Sequence, residues 1–70
     1  MRDVLISKQP VELYKILKFE GIASSGAEAK LMVADGAVLV NGEVETRKRR
    51  QINAGDLLSV AGDEIRIVLG

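Results

Sequence analysis

The sequence contains no cysteine and no histidine. Without cysteine there is no disulfide and no thiolate metal site. Without histidine the usual general base, the Ser-His and Cys-His nucleophile pairs and the common zinc ligand sets are gone. Tryptophan is also absent, and Tyr14 and Phe19 are the only aromatic residues. Two rings are too few for a platform that stacks bases. No apolar run approaches the roughly 18 residues of a membrane span. The run Val4-Leu5-Ile6 behind Met1-Arg2-Asp3 is too short for a signal-peptide core. These absences argue against most enzymes. They lead to the expectation of a cytoplasmic protein with no cofactor, no metal and no membrane association, acting through shape and charge.

Seventy residues allow one small domain, expected to span 1–70 and to act as a monomer. Hydrophobic residues make up 47% and charged residues 29%, a globular balance rather than a disordered one. Ten basic and ten acidic side chains cancel to a formal net charge of zero. A net basic balance, the usual mark of a nucleic-acid binder, is therefore missing. The charge is nevertheless segregated along the chain. Lys8, Lys15, Lys18 and Lys30 precede an unbroken run of cations, Arg47-Lys48-Arg49-Arg50, whereas the stretch after Gly55 sets Asp56, Asp63 and Glu64 against Arg66 alone.

Hydropathy periodicity divides the chain into seven elements. Residues 3–7 read as a short first strand. Pro10 suits the first turn of a helix, and Leu13, Ile16, Leu17 and Phe19 give that helix an apolar stripe, with Lys15 and Lys18 opposite it. Gly21 ends it. Ser25-Gly26-Ala27-Glu28 has the form of a capping box and starts a second helix. That helix stops at Gly36. Its core face is Ala29, Met32 and Val33, and a smoother face carries Gly26, Ala27, Lys30 and Ala34. Val38-Leu39-Val40 and Glu43 to Thr46 flank Asn41-Gly42, a strong signal for a type I′ hairpin turn. Residues 57–60 and 64–69 are two further strands, the latter with Ile65, Ile67 and Leu69 on one face. The order β-α-α-β-β-β-β predicts an α+β fold, with two consecutive helices packed on a small, mainly antiparallel sheet.

Three groups of residues could carry chemistry. The run Arg47 to Arg50 creates a local positive potential suited to phosphates, with the arginines adding a bidentate fork. A solvated edge strand that uses charge against aggregation would show the same run. Ser24 and Ser25 stand where a helix N-terminus offers unpaired amides to an anion, although plain capping is the preferred reading of Ser25. Lys15, Lys18 and Lys30 are either solvated lysines or further phosphate contacts. No pair of carboxylates is marked out for acid–base work.

The segment from Leu17 to Val60 resembles the S4-type RNA-binding domain. The family pattern is a helix, G-x-A-S-S, a second helix with A-(R/K), then G-x-V-x-V-N-G and a closing G-D. Here these stand as Gly21 to Ser25, Ala29-Lys30, Gly36 to Gly42 and Gly55-Asp56. Together with Glu45 to Arg49, the pattern is similar to small stand-alone members that consist of little more than this domain. The resemblance implies non-catalytic binding to structured RNA, with ribosomal RNA the first target to consider. It assigns Ser25, Lys30 and Arg47 to Arg50 to the contact surface. The chain departs from the pattern at Gly26 and at Glu12-Leu13-Tyr14, where many members carry arginine-containing motifs, which leaves the basic run as the main electrostatic contributor. Two alternatives stand beside this reading. One is a sulfur carrier of the β-grasp type, which shares small size and a V-N-G-like hairpin. The other is a protein-interaction module whose basic run meets an acidic partner.

Overall fold

The computed structural model describes residues 2–70. Nine elements follow one another: β1 (Arg2–Ile6), β2 (Val11–Glu12), α1 (Leu13–Phe19), α2 (Gly26–Ala34), β3 (Val38–Val40), β4 (Glu43–Val44), β5 (Gln51–Ile52), β6 (Leu57–Val60) and β7 (Asp63–Leu69). The five strands legible in the sequence form one sheet in the order β1-β7-β6-β3-β4. Its pairings are antiparallel except for β1 with β7, which run parallel. The expected order therefore holds, with two two-residue strands added. Those two, β2 and β5, pair with each other as a separate ribbon.

Period-two alternation puts Val4 and Ile6 of β1, Ile65 and Ile67 of β7, Leu58 and Val60 of β6, and Val38 and Val40 of β3 on one face of the sheet, where all are buried. The helices cover that face with Leu13, Ile16 and Leu17 of α1 and Ala29 and Val33 of α2, and Ile52 of β5 joins the same core. The hairpin signal is realised: Asn41 and Gly42 both have positive φ, 52° and 86°, as a type I′ turn requires. Gly21 ends α1 at φ +72°. The amides of Gly21 and Ile22 then bond back to the Lys18 and Leu17 carbonyls at 3.2 and 3.1 Å, the paired bonds of a Schellman end. Gly36 and Ala37 repeat the pattern on Val33 and Met32.

Five expectations need correction. Pro10 does not open a helix. Val11 and Glu12 are extended against Ile52 and Gln51, and α1 begins only at Leu13. Phe19 is not core but 70% exposed, because the stripe of this two-turn helix is centred on Leu13 and Leu17 and Phe19 lies beyond its margin. Leu69 is half exposed. Strand β6 pairs only as far as Arg66, so the end of β7 keeps β1 as its strand neighbour. The strand expected over 43–46 stops at Val44, and Glu45 turns inward to be buried. Met32 is only partly buried at the edge of the core.

Truncating a fully buried side chain in so small a core is expected to be felt globally. Leu17→Ala should cost about 2–5 kcal/mol, whereas Phe19→Ala should fall within about 0.5 kcal/mol of the parent chain. Urea unfolding followed by circular dichroism measures both.

Candidate nucleic-acid interface

Helix α1 begins without a side-chain cap. A helix start leaves four amides without an intrahelical partner, and here the basic loop supplies acceptors. The Leu13 amide donates to the Arg50 carbonyl at 2.9 Å and the Tyr14 amide to the Lys48 carbonyl at 3.1 Å. The loop is also held at both ends. The Glu45 amide donates to the Val38 carbonyl at 2.9 Å, and Ile52 is fully buried beyond it. The run Arg47 to Arg50 is thus a fixed loop against the start of α1 rather than an edge strand.

Inside this loop the Glu45 carboxylate is 6% exposed and gathers two arginines. Arg47 donates from Nε to Glu45 Oε2 at 2.9 Å and from Nη2 to Oε1 at 3.2 Å, and its own amide reaches Oε2 at 3.0 Å. Arg50 donates from Nη1 to Oε1 at 2.6 Å. The hydrogen bonds from Arg47 and then from Arg50 hold the Glu45 pKa well below the ordinary carboxylate value, lowered from 4.5 to about 2. Glu45 in turn raises the pKa of Arg47. Both guanidiniums keep N–H groups toward solvent, Arg47 being 74% exposed and Arg50 34%.

A second carboxylate works the same way on the neighbouring surface. Glu12 pairs with Lys15 at 3.2 Å and with Arg49 at 3.4 Å, joining the exposed side of α1 to the loop. Lys30 reaches across from α2 and sits 4.8 Å from the centre of the Tyr14 ring, a cation–π contact. Lys48 makes no ion pair among the described residues. Lys15, Lys30, the Arg49 side chain and the backbone of residues 48–50 therefore meet the first turn of α1, while the Arg47 and Arg50 guanidiniums gather on Glu45 in the same loop.

The remaining residues singled out in the sequence form another group at the start of α2. The Ser25 Oγ accepts from the Glu28 amide at 3.1 Å, half of the expected capping box. The Glu28 side chain does not reach back to Ser25. It accepts from the Ser24 hydroxyl at 2.6 Å instead, so a carboxylate already stands at this helix start. Lys18 lies alongside Gly26, its Cδ 4.0 Å from where a Cβ would stand. Glu45, Glu12 and Tyr14 were given no role in the site beforehand. The only hint was the spacing E-x-R-x-x-R over 45–50, which places two cations within reach of one acid only if the strand ends early.

The two-layer α+β fold is that of the S4 domain. The chain belongs to that family, whose model matches residues 4–68. It is 50% identical over 69 residues to YbcJ of Escherichia coli strain K12, covering 97% of this chain and 99% of that protein, whose name marks it as a candidate RNA-binding protein. It is 30% identical over 59 residues to RlbA of Bacillus subtilis strain 168, covering 84% of this chain and 83% of that one, a protein whose name assigns it to ribosome maturation. Among solved structures it resembles the solution structure of Escherichia coli YbcJ, with a TM-score of 0.71 and 46% identity over 94% of this chain and 85% of that one; that structure is described as revealing an ALFAL motif involved in RNA binding. It also resembles the 30S ribosomal protein S4e of Thermoplasma acidophilum, with a TM-score of 0.70 and 25% identity. That likeness spans 84% of this chain but 31% of the ribosomal protein.

The low pKa of Glu45 makes an acid-stability signature. Folding favours the ionised carboxylate, so its contribution is complete above the ordinary value of 4.5 and is lost as the pH falls toward about 2. Glu45→Gln should lower stability at neutral pH by about 1–3 kcal/mol. The low end is favoured because Arg47 is mostly solvated. The same variant should flatten the loss of stability between pH 4.5 and 2. Denaturant midpoints across that pH range check both.

Proposed function

We propose that this chain is a non-catalytic module that binds structured RNA by laying the surface around the first turn of α1 against backbone phosphates. One observation carries the reading: Lys15 and Arg49 share Glu12, Lys30 lies over Tyr14, and the 47–50 loop caps the same helix start, although the chain as a whole is neutral. Two rings in the whole chain, one of them already under Lys30, leave little for base stacking. Recognition therefore falls to charge and to the shape of a folded RNA. Membership of the S4 family and the RNA-binding description of YbcJ support the same direction. Ribosomal RNA is the first target to test, since one relative is named for ribosome maturation and one structural neighbour is a ribosomal protein. The β-grasp alternative fits poorly with two helices in succession after β1 and with S4 family membership.

Titration with a labelled RNA stem-loop at several salt concentrations tests the proposal. If about four phosphates are contacted, log K should fall with log salt at a slope of about −3 to −3.6. Lys48→Ala and Arg49→Ala, which leave the Glu45 cluster intact, should each weaken binding for all structured RNAs alike and reduce that slope by about 1. Salt-independent binding, or none at low salt, would sink the reading. Capture of an acidic protein that survives ribonuclease, with no RNA bound, would favour the interaction-module alternative.

A further inference from the structure

An acid in the middle of a surface meant for a polyanion is at first sight a fault. Each carboxylate adds repulsion toward phosphate, and Glu45 could be a neutral residue if the loop needed only a polar filler. It is instead buried, takes both of its oxygens into bonds with Arg47 and Arg50, and binds the Arg47 amide as well. A guanidinium has five N–H donors. Arg47 spends two of them on Glu45 and Arg50 one, and the rest remain on an exposed Arg47 and a partly exposed Arg50. These two arginines, with Arg49, Gln51 and Asn53, line a shallow polar groove on the outside of the loop.

We propose that Glu45 is a positioning residue for RNA binding: its buried carboxylate fixes the Arg47 and Arg50 guanidiniums in place so that their free N–H edges present a preformed fork to phosphate oxygens along the groove. This rests on the RNA-binding reading above. An arginine that is free before binding loses rotamer entropy when it docks, whereas one already held during folding does not. The held geometry also suits the bidentate bonding that distinguishes arginine from lysine. Glu45 thus gives up one unit of attraction at long range and gains order in two contacts at short range.

The two effects of Glu45 predict opposite signs, which makes the proposal testable. Glu45→Gln raises the net charge by one. If the acid merely dilutes the positive field, the variant binds a labelled RNA stem-loop more tightly. If it positions the arginines, the variant binds more weakly, by roughly 5- to 30-fold, even though it is more basic. Binding is measured well below the melting temperature, with circular dichroism verifying the native fold. Two further readouts separate positioning from a merely structural role. The Nε–H signals of Arg47 and Arg50 in NMR spectra should be dispersed and slow to exchange in the parent chain and averaged in the variant. Arg47→Ala should cost much less affinity in the Glu45→Gln background than in the parent chain, because the two residues act as a unit.

Equal or tighter binding by a folded Glu45→Gln chain overturns the proposal, as does full additivity with Arg47→Ala. If Glu45→Gln does not fold, Glu45→Asp decides by the same readouts. It keeps the charge but shortens the reach, so weaker binding at unchanged net charge supports positioning and unchanged binding refutes it. Failure of the parent chain itself to bind the stem-loop at low salt is a different result: it removes the RNA-binding reading, and this inference with it.

Discussion

The first two amides of α1 depend on carbonyls 35 or so residues further along the chain. This single dependence ties the candidate site to the core. A seven-residue helix has few intrahelical bonds, and helices so short are marginal without tertiary support. The bonds from Leu13 to Arg50 and from Tyr14 to Lys48 supply part of that support. They also fix the backbone of the basic loop at two alternate positions, and the β2–β5 ribbon holds its far end. Leu13 is simultaneously a fully buried core residue. Loop position, helix start and core packing are therefore one structural event, and the cations inherit their placement from burial several residues away.

Zero net charge and the proposed positive surface are compatible because of how the acids are used. Glu12 and Glu45 are each shared by two cations, so pairing leaves an excess of positive charge on this side while giving the long side chains a defined geometry. The two sites differ in depth. Glu12 and its partners are at the surface, where ion pairs contribute little to stability. Glu45 is buried, and its bonds to Arg47 and Arg50 offset the cost of desolvating it. Several of the other acids, Asp56, Asp63 and Glu64 among them, lie in the turns and strands of the second half of the chain. Asp56 there accepts from the Asn53 amide and the Asn41 side chain, tying two turns together.

The parts of the fold visible in the sequence were those set by local chemistry. Period-two runs located all five strands of the main sheet, Asn41-Gly42 fixed the hairpin, and the glycines at 21 and 36 ended the helices. What escaped was set by distant partners. Residues 11–12 and 51–52 are too short to show a period, and they are strands only because they find each other. Glu45 reads as the third residue of an alternating strand until the arginines that capture it are in place. Phe19 and Leu69 misled because an apolar side chain near the end of an apolar pattern was read as core: Phe19 lies beyond the stripe of α1, and Leu69 lies past the last residue of β7 that β6 pairs with. The cation run was plain in the sequence, but not that it would cap a helix with its backbone and share its side chains with two acids.

The departure at Glu12-Leu13-Tyr14 can be understood on the same terms. A basic residue at position 12 would add charge to the surface directly. Glu12 instead brings Lys15 and Arg49 together from elements that would otherwise repel, and Tyr14 offers its ring to Lys30. Glu12 thus stands in place of a cation before the first helix and gives control over cations from elsewhere. The surface is thus assembled by anions and a π-face acting as cross-links, and its positive character is a property of the folded arrangement rather than of the composition. Such a surface exists only while α1, α2 and the loop are docked, so binding and folding draw on the same contacts. Any polyanion that engages cations from all three elements must then stabilise the native state as a whole, by an amount set by its concentration relative to its dissociation constant.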